Sequence, residues 1–424
     1  MKKGRRKTVC GLLASSVLAV FASGFSAAAT DTGGPADPSA GAMSPAAQAE
    51  VSSPIRVYVE GELLAFGQDP LLIDGTTLVP FRPILQKLGF QVDYDGNTRT
   101  VIGKKAGLTI EFVPGVKAVR VNGAERQLEQ APRIVDPGVT MVPLRMIGET
   151  AGYWVNWNGY ERRIDIGSRE RLLKGILETF LTYQNREDKA GTLSMIDQSQ
   201  PSNATAGQLL SFQFAMYDLE QRLESFELLE AKDGEATVRA TVTAKLVRGA
   251  RESYRDNRIV YLYQIINKSG SWKIGNTIIA RYDYLDAATY IDEKPNVPEA
   301  DKKAIEDFVG KLESLLEKED VESFRAILHP EYPRGEQEVQ QFQAMAAAYD
   351  LTGSISDVHI IRYSGTEAAV RYVSETKSKA GQPYRDNRSE QVTLLKKDSK
   401  GEWKYMGSIP LYVEFLDVAK LLGS

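Results

Sequence analysis

Two copies of one pentapeptide carry the densest chemistry in this chain. Tyr254-Arg255-Asp256-Asn257-Arg258 recurs word for word as Tyr384-Arg385-Asp386-Asn387-Arg388. Each copy sets a phenol, two guanidiniums, a carboxylate and an amide side by side. A guanidinium fork binds carboxylate or phosphate through paired, charge-assisted hydrogen bonds. Tyr254, Arg255, Asp256 and Arg258, with Tyr384, Arg385, Asp386 and Arg388, are therefore the candidate ligand-binding residues. They would form a polar lip with arginine as the anion clamp. The competing reading is structural. There Asp-Asn makes a hairpin turn, and the arginines are solvated or paired with local acids.

Other groups point to packing rather than chemistry. Arg82 and Arg145 sit in the first turn of predicted helices, where a cation opposes the helix dipole. A salt bridge to an acid of the same repeat, such as Asp74 or Asp136, is expected to hold them. His329 lies at a helix end and His359 within a strand, and their spacing matches no metal motif. Asp197 is the expected counterpart of His329 in a sibling repeat. No nucleophile elbow, zinc-protease helix or phosphate-binding glycine loop is present. No catalytic residue, metal ligand or cofactor is predicted.

The elements that must position these residues come as two duplications. Ile73–Gly96 recurs as Val135–Gly159. Asp74 matches Asp136, and Val79-Pro80-Phe81-Arg82 matches Val142-Pro143-Leu144-Arg145. Thr76–Val79 and Thr140–Val142 read as short strands. Pro80 and Pro143 suit a first helical turn. Phe81, Ile84, Leu85 and Leu88 then fall on one apolar face, as do Leu144, Ile147 and Ala151. Gly89 and Gly152 sit where a helix end needs positive φ. Alternating Phe90, Val92, Tyr94 and Tyr153, Val155, Trp157 predict a strand. Asp95-Gly96 and Asn158-Gly159 predict two-residue hairpin turns. Each copy is thus strand, turn, short helix, hairpin. Further hairpins are expected around Gly61 and Pro114-Gly115.

At these residues the chain resembles the copper amine oxidase N-terminal-like, or stalk, domain, over about Arg56–Gly167. The resemblance implies an accessory module of exported Gram-positive proteins that carries neither copper nor the redox cofactor. The oxidase would need three copper-binding histidines and an Asn-Tyr cofactor pair. With two histidines and no such pair, amine oxidase activity is rejected.

Composition sets the address. The 424 residues suffice for roughly three domains. MKKGRRK, an apolar stretch over Val9–Phe25 and Ala27-Ala28-Ala29 read as a secretory signal peptide over 1–29. Cys10, the only cysteine, precedes the apolar core, so a lipid anchor is not expected. Removing 1–29 takes five basic residues and no acid, leaving a net charge of −9. An acidic protein is a poor nucleic-acid partner. No later segment reaches the ~20 apolar residues of a membrane span. Residues 30–53, rich in Ala, Pro, Gly, Ser and Thr, read as a flexible linker, leaving 54–167 for the stalk domain.

Residues 168–293 and 299–424 form the second duplication, joined through Pro295–Pro298. Glu187-Asp188 recurs as Glu319-Asp320, and Trp272-Lys273 as Trp403-Lys404. Each unit opens with apolar-faced helices, Leu172–Leu181 and Ile305–Leu316. Short helices follow at Lys189–Ile196 and Val321–Leu328, then Ala206–Leu219 and Glu336–Tyr349. Strands come next, at 238–245, 259–266 and 271–280 in the first unit. In the second they fall at 358–363, 368–376, 390–396 and 403–409. Asp283 and Asp286 follow the last strand of the first unit and are expected to face solvent. Helices before an antiparallel meander make a multi-domain α+β protein. The order resembles the nuclear transport factor two-like cone fold.

The expected function is a secreted or envelope-associated, non-enzymatic binding or scaffolding protein. Its partner would be a cell-wall component or an envelope protein. The rival is a small-molecule isomerase or hydrolase working in a cone pocket. A deep pocket with a buried carboxylate or tyrosine, in one unit but not its sibling, would favour the enzyme. A third reading makes the cone units dimerisation modules that pair with each other within one chain.

Overall fold

A computed structural model describes residues 53–249, 251, 254–379 and 384–418. The signal-peptide reading, and the linker reading up to residue 52, lie outside them. No helix among the described residues is long and apolar enough to cross a membrane.

The stalk domain runs β1 (Arg56–Val59), β2 (Glu62–Leu63), β3 (Leu71–Ile73), β4 (Thr76–Pro80), α1 (Phe81–Lys87), β5 (Gln91–Asp95), β6 (Thr100–Lys105), β7 (Leu108–Phe112), β8 (Ala118–Val121) and β9 (Ala124–Gln127). The second copy follows as β10 (Arg133–Val135), β11 (Val139–Pro143), α2 (Leu144–Thr150), β12 (Trp154–Asn158) and β13 (Arg163–Gly167). The prolines end the strands and take the N-cap position one residue before each helix. Ile84, Leu85 and Leu88 are buried with Leu144 and Ile147 in one core. Gly89 and Gly152 do adopt positive φ, +84° and +87°.

The two copies meet at β4 and β11, which pair antiparallel with Val79 opposite Val142. These two valines are repeat mates, so a local twofold passes between them. The hairpin expectation needs correction. Each turn is a four-residue loop, and the left-handed residues are Arg99 and Arg162, not Gly96 or Gly159. The cause is local. Asp95 accepts hydrogen bonds from the Asn97 N–H (2.9 Å) and the Thr98 hydroxyl (2.8 Å). Side-chain capping of this kind opens a two-residue turn into a longer one.

The first tandem unit comprises α3 (Arg169–Asn185), α4 (Lys189–Ser194), α5 (Ala206–Met216), β14 (Tyr217–Lys232), β15 (Glu235–Gly249), β16 (Asn257–Lys268) and β17 (Ser271–Tyr284). The second comprises α6 (Glu299–Lys318), α7 (Val321–Ile327), α8 (Gly335–Ala348), β18 (Leu351–Tyr363), β19 (Glu367–Ser378), β20 (Asn387–Lys397) and β21 (Trp403–Phe415). The α3 face Leu172, Leu173, Ile176, Leu177, Phe180 and Leu181 is buried against the sheet. Ile305, Phe308 and Val309 do the same in the second unit. The repeated Glu-Asp pair has a clear role. Glu187 and Glu319 are left-handed (φ 54° each), and Asp188 and Asp320 cap α4 and α7 through the N–H groups of Gly191 and Ser323.

Two expectations on elements change. The third helix of the first unit stops at Met216, and Tyr217–Lys232 is a 16-residue edge strand. Its Glu220, Glu224, Glu227 and Glu230 hide the two-residue period, and charge suits an unpaired edge. The second change concerns the units themselves. They share one eight-stranded sheet, β14-β15-β16-β17-β21-β20-β19-β18. The seam is β17 against β21, with Tyr282 opposite Val413. These residues again occupy equivalent positions, so the second duplication also closes on a local twofold. Between β17 and α6 the chain makes a 3₁₀ turn over Leu285–Thr289. Ala287 and Tyr290 from this segment pack on Ile361, Ala369, Val392 and Leu411 of the second unit.

Candidate functional site

The duplicated pentapeptide lies at the seam, just before β16 and β20, and each of its groups has a symmetric counterpart. Arg255 donates through Nε to Asp286 (2.9 Å) and through a terminal nitrogen to the Asp286 carboxylate. Its other terminal nitrogen reaches across the seam to the Pro410 carbonyl, 2.8 Å away. Arg385 donates to Asp417 (2.9–3.2 Å) and crosses back to the Ile279 carbonyl, again at 2.8 Å. Each guanidinium stacks on the ring that ends its own unit's last strand. Arg255 lies 3.9 Å from the Tyr284 centroid and Arg385 4.0 Å from that of Phe415. The forks are thus filled by a carboxylate, a carbonyl and an aromatic face.

The remaining residues hold the loop. Asp256 accepts from the Leu246 N–H (2.8 Å) and from Arg251 (2.8 Å), while Asp386 accepts from the Ser378 N–H (2.9 Å). Asn257 donates to the Tyr254 hydroxyl and the Arg255 carbonyl, both at 3.0 Å. Asn387 repeats this with Tyr384 and Arg385, at 2.9 and 3.2 Å. Tyr254 packs on Tyr217 and Tyr384 on Tyr349. Burial pushes the Tyr254 phenol up to about 12 and raises that of Tyr384. Arg258 pairs with Glu224 at 2.7 Å. Bonds from Thr243 and Arg258 hold that carboxyl below its usual range. Arg388 is the exception, since its Nε is buried with no hydrogen-bond partner among the described residues.

Several neighbouring expectations are refined here. Asp286 is half-exposed to solvent, as expected, and also clamps Arg255. Asp283 lies inside β17, paired with Arg281 at 2.7 Å. Arg145 does meet an acid of its own repeat, but it is Glu149 at 3.4 Å rather than Asp136. Arg145 also donates to the Val155 carbonyl (3.2 Å) and, 125 residues on, to that of Gly270 (2.8 Å). Arg82 lies near the Phe81 ring, at 5.6 Å, and Asp74 accepts from Gln130. His329 and Asp197 are true counterparts. Their N–H groups bond the Tyr405 and Ile274 carbonyls at 2.9 Å, and each side chain accepts the N–H two residues on, at 3.1 Å. His359 is exposed on β18.

The sheet-facing sides of both tandem units are packed with apolar and aromatic side chains. Among the described residues the buried carboxylates are Asp197 and Glu338. Asp197 is bonded to Ser199 and Lys268. Glu338 accepts from Tyr332 and faces Arg334 at 3.7 Å. No group of residues that could hold a metal occurs among those described. Two clefts stand out among the described residues. One, of about 430 Å³, lies between Ala287–Asp292 and the sheet beside the Arg371–Glu390 ion pair. The other, of about 200 Å³, lies where the stalk domain meets the first unit.

Sequence reasoning missed that junction. Trp154 stacks on Trp272 with centroids 4.2 Å apart. The Trp272 N–H donates to Asn156 (2.8 Å), the Trp157 N–H to Gly270 (3.0 Å) and the Ser271 hydroxyl to the Trp157 carbonyl (2.7 Å). Asn158 donates to the Tyr183 hydroxyl at 3.1 Å. Two buried asparagines on one strand were the available signal, since a buried amide must be satisfied by some neighbour.

The architecture defines a multi-domain α+β protein with an accessory domain followed by a self-paired tandem. Residues 58–166 match the copper amine oxidase N-terminal domain, a non-catalytic domain, which fits no enzyme. Residues 175–285 and 310–416 match the C-terminal domain of anti-sigma-I factor RsgI9. Those matches cover just over half of the chain, so the chain belongs to that family. No curated protein matches it. Among solved structures, a protein described as an aromatic ring hydroxylase from Novosphingobium aromaticivorans aligns at 16% identity and TM-score 0.24, over 27% of this chain and 89% of its own. Bd1075 of Bdellovibrio bacteriovorus aligns at 9% identity and TM-score 0.23, over 36% of this chain and 50% of its own. An NTF2-like protein involved in plasmid conjugation aligns at 7% identity and TM-score 0.22, over 55% and 93%.

Proposed function

We propose that this chain is an exported, non-enzymatic binding and scaffolding protein of a bacterial cell envelope. The stalk domain supplies the contact with a wall component or envelope protein, and the tandem units carry recognition. Each unit is read as a nuclear transport factor two-like cone whose edge has been used to pair with its sibling. One observation carries the reading. The side chains best suited to bind an anion, Arg255 and Arg385, are spent on holding the two units together. What remains for a partner is surface and shallow cleft, the equipment of a binding module rather than of catalysis. The family's name associates the tandem half with an anti-sigma-I factor, which suits a recognition unit whose occupancy is reported elsewhere.

The test is sedimentation with purified Gram-positive cell wall. The full chain and residues 54–167 are expected in the pellet, and residues 168–424 in the supernatant. A full chain that stays in the supernatant with wall from several hosts would sink the proposal. The isomerase or hydrolase rival needs a ligand-sized cavity inside a cone, and the described interiors are filled by their own leucines, tyrosines and tryptophans.

A further inference from the structure

We infer that the cleft between the stalk domain and the first tandem unit is a monosaccharide subsite, built for a hexose ring bearing a carboxylate. The inference deepens the binding-protein reading by naming a ligand class, but it stands on the cleft alone. Asn156, Trp157 and Tyr160 line it from the stalk side, and Ser194, Trp272 and Lys273 from the tandem side. At about 200 Å³ it lies below the ~300 Å³ at which drug-sized pockets begin. That space suits one ring rather than a longer ligand.

The lining has two kinds of surface. Trp157 and Tyr160 offer aromatic area of the sort on which the C–H face of a sugar packs, while Trp272 is a buried wall residue, 5% exposed. Trp272 is held by its stack on Trp154. Tyr160 stands edge-on to Tyr183 and is tied by its hydroxyl to Asp188 at 3.0 Å. These rings are fixed before any ligand arrives, which lowers the ordering cost of binding.

The polar groups left over are donors. Asn156 is 4% exposed and its oxygen is taken by the Trp272 N–H. Its amide nitrogen has no partner among the described residues, yet it is not among the sealed, unsatisfied atoms. A buried amide in that state opens toward the cleft it lines. Lys273, also on the wall, has no carboxylate partner among the described residues. An amide N–H and an ammonium together call for acceptor oxygens, and a carboxylate satisfies both better than a hydroxyl does. Asp188 is already bonded to Tyr160 and the Gly191 N–H, and it is not part of the cleft lining.

Three of the four tryptophans, Trp154, Trp157 and Trp272, lie at this junction, so intrinsic fluorescence reports on it. The full chain is titrated with glucuronate and with glucose. Glucuronate is expected to shift the emission and to bind at least about 5-fold more tightly than glucose, the scale of one charge-assisted bond. Lys273→Met abolishes that preference, and Trp403→Phe, in the other unit, leaves it intact. The inference falls if neither sugar shifts the emission, if both bind alike, or if the preference survives Lys273→Met. Because the titration uses no cell wall, its failure is distinct from a failure to sediment.

Discussion

Arg255 and Arg385 give the clearest residue-scale account of a repeated motif. Each satisfies a guanidinium fork three ways, and the bond across the seam goes to a backbone carbonyl that no side-chain substitution can remove. Arg255→Ala deletes charged hydrogen bonds to Asp286 and Pro410 and the stack on Tyr284. By the ordinary worth of a hydrogen bond to a charged group, it is expected to cost about 2 kcal/mol. Arg385→Ala should cost a similar amount, and urea unfolding measures both. In a double-mutant cycle the two should be non-additive, because both span one interface. Asp320 provides a second prediction. Hydrogen bonds from the Ser323 hydroxyl and N–H hold its carboxyl below the ordinary 3.8. A depressed folded-state value means the cap stabilises above the unfolded value and is lost as pH falls through the folded one. Asp320→Ala is therefore expected to lower the melting temperature at neutral pH and to have no effect in strong acid. An equal effect at both ends would count against the cap.

Among elements, the β16–β17 turn is the hinge between the stalk domain and the first unit. Gly270 has φ +88° and presents its carbonyl to Arg145. A Cβ there would run into the Arg145 guanidinium. Gly270→Ala thus carries both a backbone penalty of about 1 kcal/mol and the displacement of Arg145. The expected outcome is faster proteolysis between β13 and α3 with both halves still folded, read by mass spectrometry of the fragments. The helices were legible because their signals are local. The Phe81–Leu88 face, the α3 leucines and the glycine at each stalk helix end are set by spacing along one segment. β14 was not legible, because an edge strand has one neighbour and its glutamates break the alternation that burial would impose.

At the scale of the molecule, the two duplications are closed by the same move, equivalent strands pairing antiparallel about a local twofold. The tandem should therefore unfold as one cooperative body, since separating the units strips β17 and β21 of their hydrogen bonds together. Calorimetry of the full chain is expected to resolve at most two transitions, stalk and tandem, and a separate transition for each unit would refute a shared sheet. The tyrosines add an alkaline limit. Tyr254 is raised by burial to about 12 against an ordinary 10.0. Its contribution is complete below the unfolded value and is lost as pH rises through the folded one. Stability should fall between those values, with tyrosinate absorbance and loss of helix appearing together.

By itself the sequence determined the repeats, the α+β order and the helix faces, because each is written in spacing and residue type. Tertiary structure alone decided that the tandem units share one sheet, that Arg145 reaches the Gly270 carbonyl across the domain junction, and that a cleft forms beside Trp272. The physical reason is distance along the chain. Arg255 finds Pro410 across 155 residues, and such a pairing is fixed by strand register and by which edges meet, neither of which leaves a mark in the local pattern.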